Sequence, residues 1–267
     1  SSSRKPAPGC ARKRPDSIVR ILHVLDHSLP LQSGYAFRTA AILREQRKLG
    51  WVTMQMTTPR QGGGAALREE AGGFEFHRTP LAAGARSRIG VLGYVREMAA
   101  SARRIGELVD AFRSDILHAH SPVLNALPTL LVGRRRRIPV VYELRALWED
   151  AAVDHGTTEE GSARYRVSRA LETFALRRAD HVTTICEGLR AEITGRGMDA
   201  ERVTVIPNAV DPGEFQLGGV PDEALRQRLG LGGSVVIGFA GSFYAYEGLD
   251  LLIEAVALLA PRMQAMK

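Results

Sequence analysis

Cysteine is nearly absent from this sequence: Cys10 and Cys186 are the only two in 267 residues. They are too few and too far apart for a disulfide framework or a metal cluster, and their scarcity fits a reducing cytoplasm. Long apolar runs are missing as well; none approaches the roughly 18 residues of a membrane-spanning helix. The opening stretch SSSRKPAPGCARKRPDS has no apolar h-region, so it does not read as a signal peptide. Residues 1–17 are expected to be a disordered basic tail outside the fold. The fingerprint GxGxxG is absent, which removes the main support for a nicotinamide or flavin site. There is no HExxH, and no third ligand is visible beside the pair His118 and His120, so no metal site is expected. The basic tail has no interleaved aromatics and no recognisable nucleic-acid module, which argues against a nucleic-acid partner.

What is present is ordinary in bulk and unusual in charge. The chain is 45% hydrophobic and 24% charged, as globular proteins are. Lys and Arg number 36 against 29 Asp and Glu, a net charge of +7. Such an excess favours anionic partners: phosphates, nucleotides or acidic lipid surfaces. Five of the positive charges lie in the tail (Arg4, Lys5, Arg12, Lys13, Arg14), and Arg134–Arg137 form a second run. Both runs read either as solvated charge or as contacts for an acidic membrane surface.

Strand-like and helical patterns alternate along the chain. Val19–Leu25, Trp51–Thr57, Phe74–Arg78, Asp115–His120, Ile138–Leu144, His181–Ile185 and Val203–Ile206 read as strands. Ala36–Leu49, Gly93–Phe112, Leu124–Val132, Ser162–Ala179 and Gly188–Gly195 read as helices. Gly62–Gly64 marks a mobile loop. This alternation implies an α/β fold with a mostly parallel sheet, whose ligands bind at the carboxyl ends of strands. Residues 235–241, VVIGFAG, read as the first strand of a second domain and Leu249–Leu259 as its first helix. One strand and one helix cannot form a core of their own, so the sequence reads as one complete domain plus the opening of a second.

Four loops at strand ends could carry chemistry. In HSLPLQSGYAFRT (27–39) the pair Ser33-Gly34 stands just before a helix, where backbone N–H groups favour an anion; a glycine there is also a common turn device. In DILHAHSP, His118 and His120 are two apart on a strand and share a face. His120 ends the strand, which suits acid–base or hydrogen-bonding work or a bond to a neighbouring loop. In YELRALWED, Glu143, Arg145, Glu149 and Asp150 follow a strand; these charges could position a sugar hydroxyl or phosphate, or brace one another. VIPNAVD (205–211) reads as a turn at a domain junction.

Together these segments resemble glycosyltransferase family 4, of GT-B fold. The likeness runs from about Arg20 to Ala260 through the Gly34 loop, DILHAHSP, VVYELRALWED, ALRRADHVTTICEGLR, VTVIPNAVD and GFAGSFYAYEGLDLLIEA, in that order. The strings HVLDHSLPLQSGYAFRT and ELRALWEDAAV are most similar to a subgroup associated with exosortase and exopolysaccharide systems. The resemblance implies a Rossmann-like doubly wound parallel sheet, the acceptor-side domain, over residues 18–212. It implies a linker over 213–233 and the truncated start of a donor-binding Rossmann-like domain over 234–267. It further implies a retaining, metal-independent sugar transfer from a nucleotide-sugar donor, a co-substrate, to a glycan or lipid-linked acceptor. Localisation would be cytoplasmic, peripheral to the inner face of the membrane where the basic runs touch it.

By motif matching, His120 would be the catalytic group near the reacting centre. Gly34 would approach the donor phosphates, while His118, Glu143 and Arg145 would line or brace the acceptor side. Gly241, Ser242 and Gly248 fall at the donor positions. Ser242 follows Gly241 and Glu247 precedes Gly248, where many family members carry basic residues, and the family's paired glutamates would lie beyond Lys267. The fragment is therefore expected to have little or no activity alone. Two other readings stay open: a non-catalytic module that holds a glycan or lipid carrier, and a GT-B sugar-nucleotide epimerase.

Overall fold

The computed structural model describes residues 18–62, 66–80, 90–214, 219–241, 243 and 247–262. The basic tail and Ser242 lie outside them. The chain divides into two compact units, one of residues up to 149 with 161–208, the other of 150–160 with 209 onward.

The first unit is an eight-stranded sheet. In chain order its elements are β1 (Arg20–Leu25), α1 (Gly34–Lys48), β2 (Val52–Thr57), β3 (Arg68–Ala71), β4 (Phe74–His77), α2 (Val91–Phe112), β5 (Ile116–His120) and α3 (Val123–Arg136). There follow β6 (Val140–Leu144), α4 (Trp148–Asp154, which from Asp150 on belongs to the second unit), α5 (Ala163–Arg178), β7 (His181–Thr184), α6 (Glu187–Gly195) and β8 (Val203–Val205). The spatial order is β3-β4-β2-β1-β5-β6-β7-β8. Every neighbouring pair is parallel except β3 with β4. The chain winds outward from β1 through β2 and β4, then returns to lay β5 on the other side of β1. The β1/β5 boundary is thus a topological switch point, where α/β sheets open a ligand crevice.

The strands are apolar because both faces are covered. On one face Leu22, Val24, Met56, Leu117 and Val140 pack against Ile105, Leu108, Val109 and Phe112 of α2 and Val132 of α3. Further along, Ala119, Tyr142, Leu144 and Val182 pack with Ala126 of α3, Ala175 and Leu176 of α5 and Ile193 of α6. The other face is less uniform. Ala40 and Leu43 of α1 meet Leu25, Phe74 and Phe76, but the rest of that buried surface is polar.

Three differences from the sequence reading have local causes. β3, REEA, escaped notice because charges mask its pattern; it is an edge strand, and charged edges discourage foreign pairing. α4 formed where the cluster Trp148–Asp150 read as a charged loop. α3 runs on through Arg134–Arg136, since basic side chains suit the negative end of a helix.

In the second unit, the expected helix forms as α8 (Leu249–Leu259), and α7 (Glu223–Arg228) lies in the stretch read as linker. The expected strand 235–241 does not form: Val235 makes an isolated bridge and 236–240 are irregular. A strand exists only through a ladder of neighbours, and among the described residues no ladder extends past Val235.

Candidate functional site

The carboxyl ends of β1, β5 and β6 carry a buried polar cluster under α1. Register builds it. His23 of β1 lies opposite His118 of β5, and His120 lies opposite Glu143 of β6. Alternation puts all four on one face. The His118 and His120 rings stack at 4.3 Å, and His23 lies 4.9 and 5.3 Å from them. His23 is 0%, His120 2% and Glu143 1% exposed.

Glu143 is the hub. Its Oε1 accepts from Arg38 Nε at 2.8 Å and Arg145 Nε at 3.0 Å. Its Oε2 lies 3.3 Å from His118 Nε2 and 3.2 Å from His120 Nδ1, but neither contact has hydrogen-bond geometry. Arg145 spends its donors within the fold: Nη1 on the Tyr35 carbonyl at 3.0 Å, Nη2 on Thr39 Oγ1 at 3.0 Å and on His120 Nδ1 at 2.6 Å. Arg38 reaches the carbonyls of Ile206 and Pro207 and the side chain of Asn208, tying the end of β8 to the same hub. His120 Nε2 is 3.0 Å from His23 Nδ1, whose Nε2 is 2.8 Å from Gln46 Oε1.

The electrostatics follow. Burial, with His118 beside it, lowers His120 to about 3. Burial also holds His23 well below its ordinary value. Both imidazoles are therefore neutral at pH 7. Burial opposes the charge on Glu143, yet His120, His118 and Arg145 hold its carboxyl well below the usual range. One carboxylate thus faces two guanidiniums.

Gly34 opens α1 at the same sheet edge. Ser33 caps the helix, its Oγ accepting from Ala36 N at 3.1 Å and lying 2.8 Å from His27 Nε2. A Cβ at Gly34 would meet nothing within 4 Å, so no neighbour in the fold demands glycine there. The structure thus gathers His118, His120, Glu143 and Arg145 into one network at the end of β5 and β6, with Gly34 at the start of the helix above it. Gly241 and Gly248 belong to the second unit, where Gly248 takes a left-handed φ of 66° before α8.

Sequence reading missed His23, Arg38, Thr39 and Gln46. A period-2 argument could have found His23, the one polar side chain among buried apolar neighbours in RILHVL. Arg38 and Gln46 stand eight apart on α1, about two turns, and share a face. The charged run after β6 does not act as one cluster. Glu149 lies 2.7 Å from Arg196 Nη2 instead, near Glu172, which accepts from the Tyr142 hydroxyl at 2.6 Å.

His23, His118 and His120 offer ligand nitrogens all within 4.8 Å of one another, so β1 supplies the third histidine that the sequence did not show. Three imidazoles are a donor set that zinc accepts. Two guanidiniums in the same cluster oppose a further cation, and two of the three rings already bond each other. The residues fit a metal ion poorly.

The fold is that of the GT-B glycosyltransferases. HepE of Anabaena, solved with UDP and glucose, aligns over 90% of this chain and 58% of its own, with 19% identity and a TM-score of 0.63. A putative UDP-N-acetylglucosamine 2-epimerase from Listeria monocytogenes aligns over 94% and 61%, with 11% identity and a TM-score of 0.59. A family model described as Glycosyl transferase 4-like domain matches residues 33–209, and the chain belongs to that family. In sequence it is 31% identical over 182 residues to the 2-deoxystreptamine glucosyltransferase of Streptomyces kanamyceticus, covering 66% of this chain and 46% of that protein. The chain thus spans less than half of that curated relative. Among the described residues no helix is long and apolar enough to cross a membrane.

Proposed function

We propose that this chain is the acceptor-side part of a glycosyltransferase that moves a sugar, with retention, from a nucleotide-sugar donor to a glycan or lipid-linked acceptor in polysaccharide synthesis. The observation that carries this reading is the buried cluster at the switch point, with a capped helix start open above Gly34 at the same sheet edge. A departing nucleoside diphosphate needs donors aimed at its developing charge, and a helix N-terminus offers backbone N–H groups for it. The family match and the glucosyltransferase relative support sugar transfer, and the UDP-bound GT-B neighbour supports the donor class.

His120 sits nearest the reacting centre in this reading. Both its ring nitrogens are engaged, so contact with the sugar or acceptor requires it to release Arg145 or His23. Glu143 and Arg145 brace the acceptor side, with His118 beside them. Donor contacts fall to Gly241, Ser242 and Gly248 and to the family's C-terminal domain. No metal takes part in the transfer step. Arg134–Arg137, all exposed, are the proposed contact with an acidic membrane surface; Arg136 is already paired with Asp110 at 2.5 Å.

The test is a hydrolysis and transfer screen with several nucleotide sugars, using this chain beside a version extended by a family-like C-terminal domain. Turnover by the extended protein alone, abolished by His120→Ala, is the expected result. Retention of a glycan or lipid carrier with no turnover by either protein replaces the transferase with a binding module. Epimerisation of the donor without transfer makes it an epimerase.

A further inference from the structure

Two of the three buried histidines at the switch point, His23 and His120, form a hydrogen-bonded chain whose direction is set at one end by Arg145. A guanidinium only donates, and Arg145 Nη2 lies 2.6 Å from His120 Nδ1. That nitrogen is therefore bare, and the proton of the neutral ring is on Nε2. From there it is donated to His23 Nδ1 at 3.0 Å. His23 then carries its own proton on Nε2 and donates to Gln46 Oε1 at 2.8 Å. Each link has one donor and one acceptor.

The reverse order also gives each histidine link one donor and one acceptor, provided that Arg145 Nη2 leaves His120 Nδ1 and the His120 ring turns into hydrogen-bond geometry with Glu143. His120 would carry its proton on Nδ1 and donate toward Glu143 Oε2, 3.2 Å away, an oxygen that otherwise has no hydrogen-bond partner. His23 would donate from Nδ1 to His120 Nε2. Gln46, with its amide turned over, would donate to His23 Nε2. The two orders differ in which ring nitrogens hold the two protons and in which way the Gln46 amide and the Arg145 guanidinium face, and total charge is unchanged. They differ in consequence, because His120 engages Arg145 in one and Glu143 in the other. Arg145 in turn ties Tyr35 and Thr39, in the first turns of α1, to the end of β6.

We infer that His23 and Gln46 are positioning residues, which set the tautomer of His120 from the solvent side of α1. Gln46 is only half-buried, so the control point lies at the surface while its effect lies at the strand end. An amide serves either order. A carboxylate at position 46 serves only the observed one, and an ammonium only the reverse. The consequence for catalysis rests on the transferase reading, but the tautomer itself is measurable without turnover.

The experiment is a set of two-bond proton–nitrogen correlation spectra of the whole chain with 15N-labelled histidine at neutral pH. His23→Gln and His120→Gln assign the signals. In the unaltered chain both rings should show a bare Nδ1 and a protonated Nε2. Gln46→Glu should keep that pattern, and Gln46→Lys should exchange the bare and protonated nitrogens in both rings. Gln46→Met, which neither donates nor accepts strongly, should give a mixture, and it keeps the test alive if the lysine variant folds poorly. A His120 pattern that is unchanged in both Gln46→Lys and Gln46→Met overturns the inference. So does one-to-one zinc binding that shifts all three histidine rings, which would make the cluster a metal centre. A failed transfer screen leaves these spectra as they are, so the two readings fail separately.

Discussion

Replacing Glu143 by alanine tests the hub of the cluster directly. The carboxylate is 1% exposed, and its partners Arg38 and Arg145 have side chains only 11% and 5% exposed. The substitution leaves two guanidiniums buried without their anion, and the bonds Arg145 makes to the Tyr35 carbonyl and Thr39 do not neutralise charge. Breaking a buried pair from one side costs about 3–5 kcal/mol. For a domain of this size each kcal/mol moves the melting point by about 2–4 °C, so a drop of about 6–20 °C is expected. Glu143→Gln keeps an acceptor oxygen for both arginines and removes only the charge; it should cost about 1–3 kcal/mol. Arg145→Met alone should also destabilise, but Glu143→Ala with Arg145→Met should lose less than the two singles together, because the second change removes a charge the first left stranded. Urea unfolding followed by circular dichroism measures all four. A loss below about 1 kcal/mol for Glu143→Ala, or strict additivity in the cycle, would refute the hub argument.

Two further substitutions probe the opposite face of the sheet. Burial raises Glu172 from 4.5 to about 7, so the folded protein holds that proton longer than the unfolded chain does. Stability from this group is complete below pH about 4.5 and is lost as pH rises to about 7, a difference of about 3 kcal/mol. Glu172→Gln should flatten that slope and be the more stable protein at pH 8; parallel stability curves from pH 4 to 8 would contradict the assignment. Gly133→Ala should cost about 1–3 kcal/mol through overpacking, because a Cβ there would collide with Val140 Cγ2 and lie 2.9 Å from the Ile138 carbonyl. Unaltered urea denaturation would show that the α3–β6 contact has slack.

Much of the fold was legible in local pattern. Apolar β-rich runs gave seven of the strands of the first unit, and 3.6-residue periodicity gave five of its helices. Those signals are strong because a strand buried on both faces is apolar over most of its length, whichever strand it meets. β3 and α4 were hidden because charge masks both, and each is stabilised by a charge outside its own segment: Glu69 by Arg78 nine residues on, Glu149 by Arg196 much further along the chain. Residues 235–241 failed in the opposite way. Their pattern is that of a strand, but a strand is defined by its ladder, and the pattern alone does not supply one.

The sequence by itself placed His118, His120, Glu143 and Arg145 at the ends of strands, since alternation and a terminating turn are local properties. It also carried the family, through the order of its motifs. Which of these side chains meet was decided only by tertiary structure. His23 reaches His120 across 97 residues, and Arg38 reaches Glu143 across 105. Strand order and register set those distances, and no window of sequence contains them. Burial then decided the chemistry: the imidazoles of His23 and His120 are held neutral here by loss of solvent, and both ring nitrogens of His120 have partners.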